Sequence, residues 1–447
     1  MASHSSVGDA PTSSLVEKFI NWTADNFIFI HPSLHFVQCA STPAGHDVFA
    51  KNEIPAGTKV LSCPFSMAIT APQSKDALVA LFQGDGANPL RVIDQWSERQ
   101  TVCIYMILHG IWTETKNRRD YARSLQFTDT PYNNVFFAAR NRSLEGIKLV
   151  PGDNNEKSRM ANRMAVLCAG AVNSRSRVRF GAYLVCMRWI ATPATTLFLQ
   201  ARCRDHYLQA ATHLSSRAFP STILSNTPSN VSSKLSHAVL LPGIDSLNHK
   251  RAIPVSWVAN VSEPTTSSTL DLLIHERVPA GMECFNNYGP KPNSELMLGY
   301  GFALPLNPDD TILLSLATSN TSQSSMVEIG RDAKNAEHLW KLVIYKISEL
   351  GGDEGPVNDW EIELEAAETI MSLTEQRMER LPDVTGAGDI DVRQQVLEMI
   401  EYYLEGQKAI LTSLIQWAQA KRISARDKAL AEGIELVLDE DEDEDEE

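Results

Sequence analysis

The residues best suited to chemistry lie in two short polar segments of the chain. Tyr288 and Tyr300, twelve residues apart, offer aromatic faces with hydroxyl groups that donate or accept hydrogen bonds. Asn248 and His249 add an amide and an imidazole. Either pair alone is ordinary, because Tyr-Gly is common in turns and a single histidine is more often a loop or core residue. Their meaning depends on the surrounding segments, LPGIDSLNHK at 241–250 and GMECFNNYGPKPNSELMLGYGF at 281–302.

Three motifs follow one another along the chain. They are SSRAF at 215–219, LPGIDSLNHK at 241–250 and NNYGPKPNSELMLGYGF at 286–302. In this order they resemble the SET-domain family of Rubisco large-subunit lysine methyltransferases, whose relatives include fungal ribosomal-protein lysine methyltransferases. The segments at 41–70 and 97–100 are also similar to this family, so the resemblance covers most of residues 15–425 and is weakest around 140–205. It implies an enzyme that transfers methyl groups from S-adenosylmethionine to the ε-amine of a lysine on a protein.

The resemblance also assigns roles to individual residues. Tyr288 would be the catalytic tyrosine, and Tyr300 would complete an aromatic wall beside it. The residues that would hold the cofactor are Gly45, His46, Ser216, Asn248, His249, Tyr288 and Tyr300. Those that would shape the substrate site are Arg217, Asp245 and Tyr300. The resemblance implies no metal. It also implies that the Asn-His and Tyr-Gly segments thread past each other in a knot-like arrangement, which is an exception to the rule that protein chains are not knotted.

The implied reaction is an in-line displacement in which the attacking lysine must be neutral. Because the unperturbed pKa of lysine is about 10.4, removing its proton at pH 7 costs roughly 3.4 pKa units, or about 4.6 kcal/mol. A narrow aromatic channel and the positive sulfur of the cofactor both disfavour the ammonium form and lower that cost. Alignment of the amine with the methyl group would supply much of the remaining acceleration.

One position departs from the family pattern. The first motif usually carries Gly-x-Gly against the methionine part of the cofactor, and Asp47 replaces the second glycine. A carboxylate there either hydrogen-bonds the ammonium group of the cofactor, or crowds the pocket if the backbone needs a positive φ. Two further hypotheses stay open. Asp47 and the irregular region 173–205 leave room for a SET-like binding module without turnover, and one branch resembling this family methylates histidine instead of lysine.

The elements that must position these residues predict an α+β fold. Ser14-Leu-Val-Glu17 has the spacing of a capping box and predicts a short opening helix, and residues 97–116 predict a buried helix. β-rich runs between turn residues predict small strands: HFVQC, DVFAK, KVLSC and MAIT within 35–70, HAVLLP at 237–242, SWVANV at 256–261 and TLDLLIHERV at 269–278. Residues 173–205 have no clean period and are not assigned.

Beyond about Leu306 the pattern becomes helical. Helices are predicted over 339–350, about 359–381 and about 389–423, and together they predict a helical bundle. The resemblance identifies this bundle with the substrate-binding domain of the family. The expected organisation is a SET domain at 15–302 with a helical insert at about 74–209, an all-α substrate-binding domain at 303–430 and an acidic disordered tail at 431–447.

Charge and cysteine content narrow the functional classes. The net charge is −15, and the nine acidic residues of 439–447 leave −6 for the rest of the chain. No basic face compensates this total, so we expect no direct contact with nucleic acid and a basic protein, such as a ribosomal protein or histone, as the partner. The acidic tail either binds that partner or only aids solubility. Seven scattered cysteines without C-x-x-C spacing predict reduced thiols and no zinc site.

The terminal and apolar segments bear on location. The opening MASHSSVGDAPTSS has no apolar region typical of a secretory signal and lacks the arginines of a transit peptide. The apolar stretch at 180–200 contains Arg188 and Pro193, so we interpret it as a buried helix or an insert rather than a membrane span. We expect a monomer in the cytoplasm, the nucleus or both, without membrane contact.

Overall fold

The computed structural model divides the chain into two compact units. The first unit is Met1–Pro290 with Leu298–Gly301, and the second is Lys291–Met297 with Phe302–Glu447. The residues that the structure describes are 14–38, 46–82, 93–114, 207, 210–225, 229, 236–262, 268–316, 325–350, 358–382 and 394–436. The unassigned residues 173–205, the apolar stretch 180–200 and the acidic run 439–447 lie outside the described residues.

Four antiparallel strands form the largest sheet of the first unit. In spatial order they are β1 (Phe29–Ile30), β4 (Thr58–Pro64), β9 (Thr269–Ile274) and β8 (Val255–Asn260). The smaller pairs are β2 (Leu34–Gln38) with β3 (His46–Ala50), β5 (Phe219–Pro220) with β6 (Ala238–Val239), and β7 (Asn248–His249) with β10 (Phe285–Asn286). Strand β4 is deeply buried, since Val60, Leu61 and Cys63 are all fully buried, and its pairing with β9 has an irregularity between Lys59 and Leu61.

Helices complete the packing of the first unit. Helix α1 (Ser14–Asp25) buries Val16 and Phe19, three residues apart on one face, in the same core as β4. Helices α2 (Ala71–Phe82) and α3 (Glu98–Glu114) share a second core with helical residues 210–217. This second core fixes the helix that ends at Arg217, a predicted site residue.

Most of the predicted elements of the first unit are confirmed, with shifted ends. The prediction of a strand at 67–70 is wrong, because Phe65–Met67 form a 3-10 turn and Ile69 makes only an isolated bridge with Leu240. Pro64, with a φ of −62°, precedes this turn, and proline favours such an entry while offering no N–H to a continuing ladder.

The second unit combines a hairpin with three long helices in its described part. The hairpin joins β11 (Thr311–Leu316) to β12 (Ser325–Gly330), and the helices are α4 (Ala336–Leu350), α5 (Asp359–Glu379) and α6 (Gln394–Ala431). These three helices confirm the helices predicted from the apolar periodicity, and α6 extends past its predicted end at residue 423. The hairpin was not predicted, so the helical region is not purely α.

A buried carboxylate ties several parts of the second unit together. Asp310 accepts hydrogen bonds from the backbone N–H of Asn293 at 2.7 Å and from its side-chain amide at 3.2 Å. Arg331 lies 3.5 Å away and also bonds Glu405. Burial raises the pKa of Asp310, against the Asn293 bond and the charge of Arg331. Gly406 approaches so closely that a Cβ there would lie 2.2 Å from the Oδ2 atom of Asp310.

Within the described residues, no helix is long and apolar enough to cross a membrane. The same residues contain no cluster of histidine, cysteine and acidic side chains that could hold a metal ion.

Candidate functional site

The parallel pair of β7 and β10 sets the position of the candidate site. Asn248 lies opposite Phe285 in this pair, and His249 lies opposite Asn286. Parallel neighbours need a long crossover, which here runs from 250 to 284 and contains the β8–β9 hairpin. The pairing brings the Asn-His and Tyr-Gly motifs side by side, as the resemblance predicts.

Strand β3 approaches the same place from the other end of the unit's sequence. The backbone N–H of Cys284 donates to the carbonyl of Val48 at 2.7 Å, and Phe49 forms a bridge with Glu283. Asp47, which precedes Val48 in β3, is thereby brought close to Glu283 although the two residues are far apart in sequence.

Three rings form a stack at the centre of the site. The rings of His249 and Tyr288 lie 5.1 Å apart, and those of Tyr288 and Tyr300 lie 5.2 Å apart, with interplanar angles of 24° and 28°. The backbone N–H of Tyr288 donates to Nδ1 of His249 at 3.0 Å, so the neutral imidazole carries its proton on Nε2. Tyr288 is therefore held between two rings, which restricts its side chain to one orientation.

The hydroxyl of Tyr288 is also fixed. It donates its single proton to the carbonyl of Leu247 at 2.8 Å and accepts from Nη1 of Arg217 at 2.8 Å. Arg217 further donates to the carbonyl of Asp245 at 2.8 Å and to Oδ1 of Asn248 at 3.2 Å. One guanidinium thus holds the 245–248 segment and the candidate catalytic tyrosine in register, a use that suits its rigid fork of donors.

The side chain of Asn248 links a cation to two carboxylates. Its Oδ1 accepts from Arg217, while its Nδ2 donates to Oδ1 of Asp47 and to Oε1 of Glu283, both at 2.9 Å. Burial raises the pKa of Glu283, the bond from Asn248 opposes that rise, and the nearby Asp47 adds to it. Asp47 lies in β3 opposite Val37, so its backbone is extended and needs no positive φ. The condition under which crowding was considered, a left-handed backbone at Asp47, is not met.

His46, the neighbour of Asp47, presents unsatisfied nitrogens. Both ring nitrogens are shielded from solvent and have no hydrogen-bond partner among the described residues. Burial lowers the pKa of His46, and the charge of Asp47 opposes this only in part. A neutral buried imidazole without partners loses the hydrogen bonds it would have in water, so this position favours a ligand that can donate to it or accept from it.

The other predicted site residues have more structural surroundings. Ser216 is buried, and its hydroxyl donates to the carbonyl of His213 at 3.2 Å. Asp245 is also buried, with Oδ2 3.9 Å from Nε2 of His213. Burial raises the pKa of Cys284 to about 12, and Glu283 adds to this, so the thiol stays protonated. Gly45 lies outside the described residues.

Glu283 is the site residue that sequence reasoning missed. No motif marks it, and its only signal is its place in the polar segment before Tyr288. The missing information is the pairing of 283–284 with β3, which no local pattern encodes.

Comparisons of sequence identify relatives among fungal methyltransferases, although no protein-family model matches the chain. The chain is 28% identical over 305 residues to ribosomal lysine N-methyltransferase set10 of Schizosaccharomyces pombe, a match that covers 68% of this chain and 48% of that protein. It is 34% identical over 127 residues to protein-lysine N-methyltransferase EFM1 of Saccharomyces cerevisiae, covering 27% of this chain and 20% of that protein. The chain thus spans less than half the length of these curated relatives.

Comparisons of structure identify the fold. The SET domain of LSMT bound to MeLysine and AdoHcy superposes with a TM-score of 0.58 at 15% identity, over 93% of this chain and 94% of that one. Rubisco LSMT bound to AdoMet superposes with a TM-score of 0.56 at 15% identity, with the same coverage. The α+β SET fold and the resemblance to the Rubisco methyltransferases and their fungal relatives are confirmed.

Proposed function

We propose that this protein transfers a methyl group from S-adenosylmethionine to the ε-amine of a lysine on a protein substrate. The observation that carries the proposal is the fixed tyrosine of the first unit: Tyr288 is stacked between His249 and Tyr300, and its hydroxyl is held by Arg217 and Leu247. The named activities of the sequence relatives support the same reaction.

The bound tyrosine hydroxyl suits an incoming amine. Because its only proton is directed to Leu247, the hydroxyl faces an incoming amine as a hydrogen-bond acceptor. The guanidinium of Arg217, 2.8 Å from the same oxygen, repels an ammonium and so favours the neutral form of the lysine. Tyr288 thus orients the amine, Arg217 disfavours its protonation, and the stacked rings exclude water.

The polar groups of the site fit the cofactor. When bound, S-adenosylmethionine supplies an activated methyl group on a sulfonium. The ring nitrogens of His46, which have no partner among the described residues, would hold its polar amino-acid end, and the two carboxylates at Asn248 would attract its positive groups, the ammonium and the sulfonium. Asn248 and His249 would hold it from β7, and Tyr300 would line the channel that the substrate enters.

The substrate is proposed to be a basic protein, with a ribosomal protein as the first candidate. Excess negative charge on the chain and the named ribosomal relative both favour this choice. We further propose that residues 15–302 form the catalytic domain and that residues 303–430 bind the substrate. The protein would act as a monomer, in the cytoplasm, the nucleus or both.

The test is a transfer assay with radiolabelled S-adenosylmethionine on a eukaryotic lysate. The wild-type chain is compared with Tyr288→Phe, and labelled proteins are identified by mass spectrometry. Label on a lysine that falls by at least about 100-fold in Tyr288→Phe is the expected result, because removal of one group that acts in the transition state commonly costs this much.

A matched variant controls for the loss of a hydroxyl. Tyr105→Phe removes the same atom from α3, in the second core of the first unit, and should keep its activity. Label on histidine would move the protein to histidine methylation. Cofactor binding without any label would favour the non-catalytic module, and equal activity in wild type and Tyr288→Phe would refute the assigned role of the tyrosine.

A further inference from the structure

The two carboxylates at Asn248 carry negative charge that the described residues leave unbalanced. Both acceptor oxygens lie 2.9 Å from the same amide nitrogen, so Asp47 and Glu283 are within about 6 Å of each other. Both side chains are partly buried. Within the described ranges, neither forms a salt bridge with a lysine, an arginine or a histidine.

The charged and titratable neighbours on each packed element do not neutralise the pair. On β3, His46 is kept neutral because burial lowers its pKa. On β7, His249 uses Nδ1 as an acceptor and is neutral in that arrangement. Arg217 contacts the opposite end of Asn248, at Oδ1, and its other bonds go to the backbone and to Tyr288. Two like charges this close, without a paired cation, favour a positively charged ligand.

We propose that Asp47 and Glu283 together form a charge-selective wall that makes the site bind S-adenosylmethionine more tightly than its product, S-adenosylhomocysteine. This inference rests on the proposed function. The two ligands share their adenosine and amino-acid groups, and they differ in that the cofactor has a positive sulfonium where the product has a neutral thioether. The negative pair attracts the ammonium group that both ligands share, and it attracts the sulfonium that only the cofactor has, so the wall favours the cofactor over the product and assists product release.

A glycine at position 47, which the family pattern has, cannot supply this charge. The aspartate would therefore add a charge to the cofactor site of the family rather than impair that site. Its backbone is extended in β3, and its side chain accepts a hydrogen bond from Asn248.

The test measures binding, which does not depend on turnover. Isothermal titration gives the dissociation constants of S-adenosylmethionine, S-adenosylhomocysteine and sinefungin, whose amine replaces the sulfonium, for wild type, Asp47→Asn, Glu283→Gln and the double variant. Each single variant should weaken the binding of the two ligands that are cationic at the sulfur position about tenfold more than the binding of the product. The preference should also shrink as salt rises.

The control is Glu53→Gln, which removes an exposed carboxylate paired with Arg277 in the same unit and should leave all three constants unchanged. Unfolding midpoints measured in parallel identify any variant that fails to fold, and Glu283→Gln then tests the wall without Asp47→Asn. Equal weakening of cation and product, or no change in either, would overturn the wall while leaving the proposed function intact. Failure of the wild type to bind any of the three ligands would refute the proposed function itself.

Discussion

Asn248→Asp tests the arrangement of the site most directly, because it changes one atom type at the centre of the network. The amide nitrogen that donates to Asp47 and Glu283 at 2.9 Å becomes a third carboxylate oxygen. Hydrogen bonds to charged groups contribute about 1.5–3 kcal/mol each, so losing two costs about 3–6 kcal/mol before relaxation.

Protonation limits this cost. The introduced carboxyl can stay protonated in the folded state and so keep one of the two hydrogen bonds. Because the ordinary pKa of aspartate is about 3.9, holding the proton costs at most about 4.9 kcal/mol at pH 7.5 and about 1.5 kcal/mol at pH 5. Its folded pKa is raised above the unfolded value, so the unfolded chain loses the proton first and stability falls as the pH rises above about 4. We expect a destabilisation of about 5–6 kcal/mol at pH 7.5 that falls to about 3–4 kcal/mol at pH 5, where the protonated carboxyl keeps one of the two bonds.

The assay is hydrogen exchange followed by mass spectrometry on peptides spanning 241–260, which reports the opening of the first unit separately from the second. Asn260→Asp is the matched control, because that exposed side chain also donates to a carboxylate, Asp271, at 2.9 Å, and should cost less than about 1 kcal/mol. A loss of equal size at both pH values, or one that Glu283→Gln does not relieve, would refute the reasoning.

Three further outcomes follow from the same contacts. Arg217→Lys keeps the positive charge but loses the forked set of N–H donors that holds Tyr288. Steady-state kinetics should therefore show kcat lowered about 30- to 100-fold, with KM for the cofactor changed less than threefold. Glu283→Gln removes a carboxyl whose pKa is raised by burial and by Asp47. The wild type loses stability as the pH rises above about 4.5, because this carboxyl must then ionise in the folded state, and the variant should not show this loss. In urea unfolding, the variant should therefore be more stable than the wild type at about pH 8 but not at about pH 4. Gly406→Ala places a Cβ against Asp310 and should destabilise the second unit by about 2–4 kcal/mol in urea unfolding.

The sequence predicts the parts of the site that local motifs encode. Asn248-His249 and Tyr288 occur in recognisable segments, and the structure brings them together with Arg217 and Tyr300. The partners of the tyrosine hydroxyl could not be predicted, because they depend on where the carbonyl of Leu247 points after β7 pairs with β10. Glu283 could not be predicted because its role depends on a bridge to β3.

The same distinction applies to the fold. Helices α4, α5 and α6 repeat apolar residues over several turns, and this periodicity is a strong signal. The β11–β12 hairpin has strands of only six residues. Burial alternates along them, but the exposed Leu313 and Met326 are apolar, so no alternation of polar and apolar residues marks the hairpin in the sequence. Short strands whose outer face is also apolar cannot be separated from helix by composition alone.

The order of strands in the large sheet has a consequence for synthesis on the ribosome. Strand β4 pairs with β9, where Cys63 lies opposite Leu270, and at about 5–20 residues per second the ribosome needs about 10–40 s to make the intervening chain. Val60 and Leu61, fully buried in the finished unit, remain uncovered by their partner strand for that interval. The yield of folded protein will therefore depend on translation speed and on the supply of chaperones that protect this early strand.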